Sequence, residues 1–272
     1  MQRALSWLCL SAAVVVYVAD AHGAQSADKT ARDCASDAGW RGDRSASHCE
    51  VREQTMPLIN PVDVDAGRNG SIAVRGSNRA DVLVRATIRT FGATDADARH
   101  IASGVRIDAL GGRIRSEGPT ALENEGWSVS FEIDVPRTAQ MTLNTRNGSI
   151  AIADFGGAVE FHAQNGSIQL RRVDGDIRGT TSNGSVSLTL EGDRWNGQGL
   201  DVQTRNGSVQ INVPDGYSAQ IETDTTRGRL QSDFQSDGSI PRSGPLLTTL
   251  GAGGAKLKVT TVNGSVSIRR RS

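Results

Sequence analysis

Leu143–Leu190 reads L-N-T-R-N-G-S-I-A-I-A-D-F-G-G-A-V-E-F-H-A-Q-N-G-S-I-Q-L-R-R-V-D-G-D-I-R-G-T-T-S-N-G-S-V-S-L-T-L. One phrase returns in it three times, at Thr145–Ile150, Ala163–Ile168 and Thr181–Val186, with Asn147, Asn165 and Asn183 spaced 18 residues apart. Further copies lie at Gly67–Ile72, Thr204–Val209 and Thr261–Val266, and a degraded one at Thr225–Leu230. A fixed internal period is first of all a statement about architecture.

Asn-Gly is a strong turn signal because both residues tolerate positive φ. The pairs are Asn69-Gly70, Asn147-Gly148, Asn165-Gly166, Asn183-Gly184, Asn206-Gly207 and Asn263-Gly264. A left-handed turn there predicts that Gly166→Val loses about 1–2 kcal/mol. Each pair is followed by alternation of polar and apolar residues, as in Ser167-Ile168-Gln169-Leu170, the mark of a half-buried strand. Second turns fall half a period later, at Asp154–Gly157 and Asp174-Gly175. Each unit therefore holds two short strands and two turns, which fits an antiparallel meander or a flattened β-solenoid. The solenoid is favoured because it stacks like residues on like, and so explains why Thr, Asn, Ser and Ile/Val recur. One coil alone buries too little to offset about 1–2 kcal/mol of backbone entropy per residue, so stability must come from stacking.

Outside the repeat, Met1 to about Ala21 reads as a secretory signal: Arg3, an apolar run from Ala4 to Ala19, and a small-x-small site at Ala19-Asp20-Ala21. Residues 22–55 form a polar lead-in, and 56–272 a single elongated solenoid domain. Cleavage would leave Cys34 and Cys49, an even pair that in an exported chain implies a disulfide. Strands are predicted at Glu50–Thr55, Val62–Val64, Ile72–Val74 and Val82–Ile88. Others follow at Val105–Asp108, Arg113–Arg115 and Trp127–Val135, with Pro136 ending the last. A helix is expected near Asp95–Ser103, capped by Thr94 with Asp97 in the capping-box position. Beyond the repeat, Leu200–Thr204, Val209–Val213 and Ala219–Thr223 read as strands. Residues 235–254 read as an inserted loop before a last coil, Lys256–Ile268. From Arg227 to Asn263 is 36 residues, two periods, so the loop keeps register.

Aromatics make up only 4 % of the chain while 37 % is hydrophobic, which points to an interior of Ile, Val and Leu rather than rings. Equal numbers of basic and acidic residues, 30 of each, give no case for a nucleic acid or an anionic membrane as partner.

Ile133-Asp134-Val135-Pro136, L-N-T-R-N-G-S-I at Leu143–Ile150 and T-V-N-G-S-V-S-I at Thr261–Ile268 after G-A-G-G resemble the bacterial putative-adhesin domain family over about residues 56–272. The resemblance implies an all-β, solenoid-like, exported envelope domain with no catalytic residues to carry over.

Tempting motifs have plain explanations. The N-G-S triplets match a glycosylation acceptor, but the turn itself demands Asn-Gly and Ser suits a strand start. Calcium-binding β-rolls need an Asp-bearing glycine motif, and Asp174-Gly175-Asp176 is a single instance. Arg41-Gly42-Asp43 is taken as accidental, and Ser26-Ala27-Asp28-Lys29 lacks the companion motifs of penicillin-recognising enzymes. His22, His48, His100 and His162 have no metal-ligand spacing, and no carboxylates pair for glycoside hydrolysis. Outward Arg146, Arg171, Arg178 and Arg205 could meet an acidic glycan or simply solvate a sheet. The expectation is an exported non-enzymatic envelope scaffold without cofactor or metal, facing a protein or polysaccharide partner in the periplasm or at the cell surface. It has no membrane span after signal cleavage. The rival readings are a carbohydrate-active β-helix enzyme and a modulator of envelope stress signalling.

Overall fold

Alternating apolar residues give each strand one face that must be covered, and in this protein that face is covered by another part of the same coil. The computed structural model describes residues 34, 46–121, 123–234 and 244–271. The chain divides into two compact units, Met1–Ala38 and Gly39–Ser272. Cys34 and Cys49 are both disulfide-bonded. The signal segment, Arg41-Gly42-Asp43 and Ser26–Lys29 lie outside the described residues.

The second unit is a β-solenoid whose strands form two ten-stranded sheets. Its coils each pair one strand of sheet 2 with one of sheet 1 across a corner that is Asn-Gly in six coils and Arg227-Gly228 in one. They are β2 (Val62–Asp65) with β3 (Ile72–Ser77), β8 (Gln140–Asn147) with β9 (Ile150–Phe155), and β10 (Ala158–Asn165) with β11 (Ile168–Val173). Then come β12 (Asp176–Asn183) with β13 (Val186–Thr189), and β14 (Gly199–Asn206) with β15 (Val209–Pro214). The last two are β16 (Ala219–Arg227) with β17 (Leu230–Ser232), and β19 (Lys256–Asn263) with β20 (Val266–Arg271). Neighbouring coils pair in parallel and in register, Asn147 with Asn165, Asn165 with Asn183, Asn183 with Asn206 and Asn206 with Asn263. Parallel pairing rules out the meander.

Inward residues stack in columns between the sheets. Ile150, Ile168, Val186, Val209 and Val266 form one such column, each essentially inaccessible. Burial of each contributes roughly 1.5–3 kcal/mol. Rings do enter this interior: Phe131, Phe155 and Phe161 are among its largest buried side chains. Phe161 fits because its register partner in the next coil is Gly179, where a Cβ would lie 2.2 Å from the ring. Trp195, on the five-residue insertion between Asn183 and Asn206, is also buried and donates its indole N–H to the Gly175 carbonyl at 3.0 Å.

The coil that comes last in sequence is not last in space. β19–β20 sits between β14–β15 and β16–β17 in both sheets. Register survives, Arg227 pairing with Asn263, but the preceding coil is laid down one place too far and the C-terminal strands fill the gap. Chain order and spatial order also part at the other end, where β2 lies between β8 and β6 (Arg113–Glu117), and β3 between β9 and β7 (Gly126–Pro136).

Both ends are capped by antiparallel strands, as stacked repeats require. At one end β4 (Asp81–Gly92) pairs with β7 and with β1 (Ala46–Pro57) in sheet 1, while β5 (Arg106–Leu110) pairs with β6 in sheet 2. Helix α1 (Asp95–Gly104) buries Ala98, Ile101 and Ala102, and its capping box between Thr94 and Asp97 is complete. Its last turn carries no basic residue; Arg52 of β1 supplies the charge, donating to the carbonyls of Ala102 and Val105. At the far end β18 (Leu246–Leu250) pairs with β16. This strand lies within the stretch that the sequence suggested was loop. Its inward residues Leu246, Thr248 and Leu250 alternate like any other strand, but a neighbouring run of Pro and Gly obscures them.

Candidate binding surface

The Asn-Gly corners stack into one continuous edge. Asn147, Asn165, Asn183, Asn206 and Asn263 each donate a side-chain amide hydrogen bond to the Asn one coil along, at 2.7–3.0 Å, the series ending on Asn69. Beside this ladder runs a second. The hydroxyls of Thr145, Thr181, Thr204, Thr261 and Thr225 donate to the carbonyls of Gly70, Gly166, Gly184, Gly207 and Gly264 at 2.6–2.8 Å. Ala163 holds the equivalent place in its own coil and makes no such bond.

The glycines serve a different purpose from the one the sequence suggested. No Asn or Gly of the six pairs has positive φ. Instead a Cβ on Gly148, Gly166, Gly184, Gly207 or Gly264 would fall 1.8–2.1 Å from the glycine carbonyl oxygen of the adjacent coil. Close backbone approach, rather than left-handed geometry, excludes side chains there.

The opposite corner is built from acids and their partners. Asp154 and Arg172 occupy matching positions of adjacent coils, both with positive φ (56° and 51°), and meet in a fork of 2.6 and 2.8 Å. The hydrogen bond from Arg172 holds the Asp154 carboxyl below the usual carboxylate range. Glu191 meets Arg271, Asp215 meets Arg270, and Asp193 meets Arg194. Arg270 also lies 4.9 Å over the Phe234 ring. Two of the three arginines of the basic C-terminal run, Arg270 and Arg271, are thus paired at this corner, while Arg269 donates to the Ser267 hydroxyl.

Between the edges lie two outward faces. Arg146, Arg178 and Arg205 project from sheet 2 strands and Arg171 from a sheet 1 strand, so the four do not form one surface. Sheet 2 carries a shallow depression of about 490 Å³ lined by Asp65, Asn144, Arg146, His162, Gln164 and Thr180 among others. A smaller one of about 210 Å³ includes Glu160, Asp176 and Arg178. The two carboxylates there are engaged, Glu160 with His162 at 3.2 Å and Asp176 with Arg178 at 3.3 Å. Among the described residues no group of three or more His, Cys, Asp or Glu could hold a metal ion, and no helix is long and apolar enough to cross a membrane.

Residues 103–269, from the end of α1 to the C-terminal coil, match the Toastrack DUF4097 family. The chain belongs to that family. This is the all-β family of unsettled function that the repeat phrase resembled. No curated protein matches the chain. Among solved structures, a "putative cell adhesion protein" from Clostridium sporogenes shares 9 % identity at TM-score 0.40, over 82 % of this chain and all of that one. A "putative adhesin" from Bacteroides fragilis shares 11 % at TM-score 0.35, over 81 % of this chain and 97 % of its own. A "putative lipid binding protein" from Parabacteroides distasonis shares 10 % at TM-score 0.35, with the same coverages.

Proposed function

We propose that this Toastrack protein is an exported, non-enzymatic scaffold of the cell envelope that binds a protein or polysaccharide partner along its stacked coils. The observation that carries the reading is the register itself. Outward side chains of successive coils line up in rows, such as Asn144, His162, Thr180, Gln203 and Thr260. Such rows offer repeated polar contacts to an extended partner. Glu160 and Asp176, the carboxylates beside the smaller depression, are taken up by basic neighbours rather than poised across a cleft. Export rests on the apolar, small-residue pattern of residues 1–21, and two disulfide-bonded cysteines suit an oxidising compartment.

A photo-crosslinking residue placed at exposed Thr180 in native envelopes tests this. A stable covalent adduct with an envelope polymer or protein is expected. Release of a processed soluble product without any adduct would support the enzyme reading instead.

A further inference from the structure

The Asn-Gly edge is a cationic stripe, and we propose that it binds a linear acidic polysaccharide. This rests on the scaffold reading above and names the partner's chemistry. The seven copies of the phrase contain no acidic residue and five arginines: Arg68, Arg146, Arg205, Arg227 and Arg229. All five are exposed. Among the described residues none of their guanidinium groups makes an ion pair or hydrogen bond, whereas arginines at the opposite corner are paired with Asp154, Glu191, Asp193 and Asp215. Asp65 and Asp224, each three residues before an arginine of the edge, belong to the sheet 2 strands and stand at the two ends of the stripe. A chain of zero net charge therefore segregates its charge, one edge neutralised and the other not.

Register fixes the shape of the stripe. Arg146, Gln164, Ser182 and Arg205 occupy one row, with Arg68 before them. Arg227 closes the edge because the C-terminal coil is inserted ahead of it. At about 4.8 Å per coil, the six steps from Arg68 to Arg227 span about 29 Å. Val262 and Thr226 complete that row, while Arg227 stands one residue over in the asparagine column and Arg229 just past the corner. A narrow band of guanidinium groups along one edge, with the Gln164 amide and Ser182 hydroxyl among them, suits a linear polymer carrying carboxylates, which arginine grips in bidentate fashion. Nucleic acid fits less well, since no phrase contains an aromatic residue on which a base could stack. A bilayer fits less well too, because the stripe lacks the broad apolar face that inserts into one.

The test is binding of the full exported chain to polygalacturonate, with uncharged dextran, phosphatidylglycerol vesicles and single-stranded DNA as comparison probes. Binding to polygalacturonate that weakens with added salt is expected. Replacing Arg68, Arg146, Arg205, Arg227 and Arg229 together by Gln should weaken it about tenfold or more. Replacing five exposed arginines elsewhere (Arg75, Arg99, Arg106, Arg113 and Arg194) gives the same net charge and should leave affinity within about threefold. Should either fivefold variant unfold, Arg146→Gln against Arg99→Gln gives the same contrast at smaller size. No binding, equal loss in both variants, or tighter binding to vesicles or DNA would each overturn the proposal. If the Thr180 crosslink still captures a partner in that case, the scaffold reading stands without it.

Discussion

Gly166 lies so close to Gly148 that a Cβ on it would fall 1.8 Å from the Gly148 carbonyl oxygen. The same approach repeats up the stack, so the corner can tighten only if every coil omits its side chain. Gly166→Ala should therefore destabilise by about 1–3 kcal/mol or more, since the obstacle is backbone and cannot rotate away. Gly156→Ala is the matched comparison: its Cβ would meet nothing closer than 3.9 Å, and its φ is not left-handed. That change should be neutral or raise stability by about 0.4–1 kcal/mol through the unfolded chain. Denaturant titration of both variants checks the contrast.

Ala163 interrupts the threonine ladder. Thr at this position would meet the Gly148 carbonyl as Thr181 meets that of Gly166 at 2.8 Å, in a coil whose neighbours already accommodate Thr at the same register. Ala163→Thr is expected to stabilise by about 0.5–1.5 kcal/mol, read as a rise in melting temperature.

Phe161 and Gly179 divide one coil-to-coil volume between them. Gly179→Ala alone should destabilise by about 1–3 kcal/mol, and Phe161→Leu alone should also destabilise by opening a cavity. The double variant should lose less than the sum of the two, a coupling that a double-mutant cycle measures directly.

Acid should weaken the corner opposite the asparagines. The folded-state pKa of Asp154 is lowered by Arg172. Its contribution is therefore complete above the unfolded carboxylate value near 4 and is lost as pH falls through the lower folded value. Asp154→Asn keeps a residue that tolerates the left-handed backbone but removes the titrating group. The variant's stability should fall less steeply than that of the native chain below pH 4, as followed by urea midpoints across pH.

Much of this was legible in the chain. The 18-residue spacing of Asn147, Asn165 and Asn183 and the period-two alternation after each define coil and strand. Thr94 and Asp97 announce the helix. The reason for glycine was not legible, because Asn-Gly signals positive φ and close backbone approach alike, and only coil spacing separates them. Nor was the insertion of the last coil: an interval of two periods between Arg227 and Asn263 is the same whichever coil lies outermost. The cationic edge was hidden for a further reason. Net charge sums the whole chain, while Arg68, Arg146 and Arg205 come onto one edge only through register, and Arg172 and Arg271 become neutralised only through contacts across coils.

Coil order sets both the core columns and the arginine stripe, and disulfide trapping reads it most directly. Gln203 and Thr260 are register partners on adjacent strands, within the Cα range of about 4.4–6.8 Å that a disulfide needs. Gln203 and Asp224 are separated by the inserted strand β19, with Thr260 lying between them, so they stand about 9.6 Å apart. Under mild oxidation the Gln203→Cys/Thr260→Cys chain should crosslink nearly completely and the Gln203→Cys/Asp224→Cys chain should not. Efficient crosslinking of the second pair and failure of the first would mean that the coils follow sequence order, contradicting the inserted C-terminal coil and the stripe that ends at Arg227.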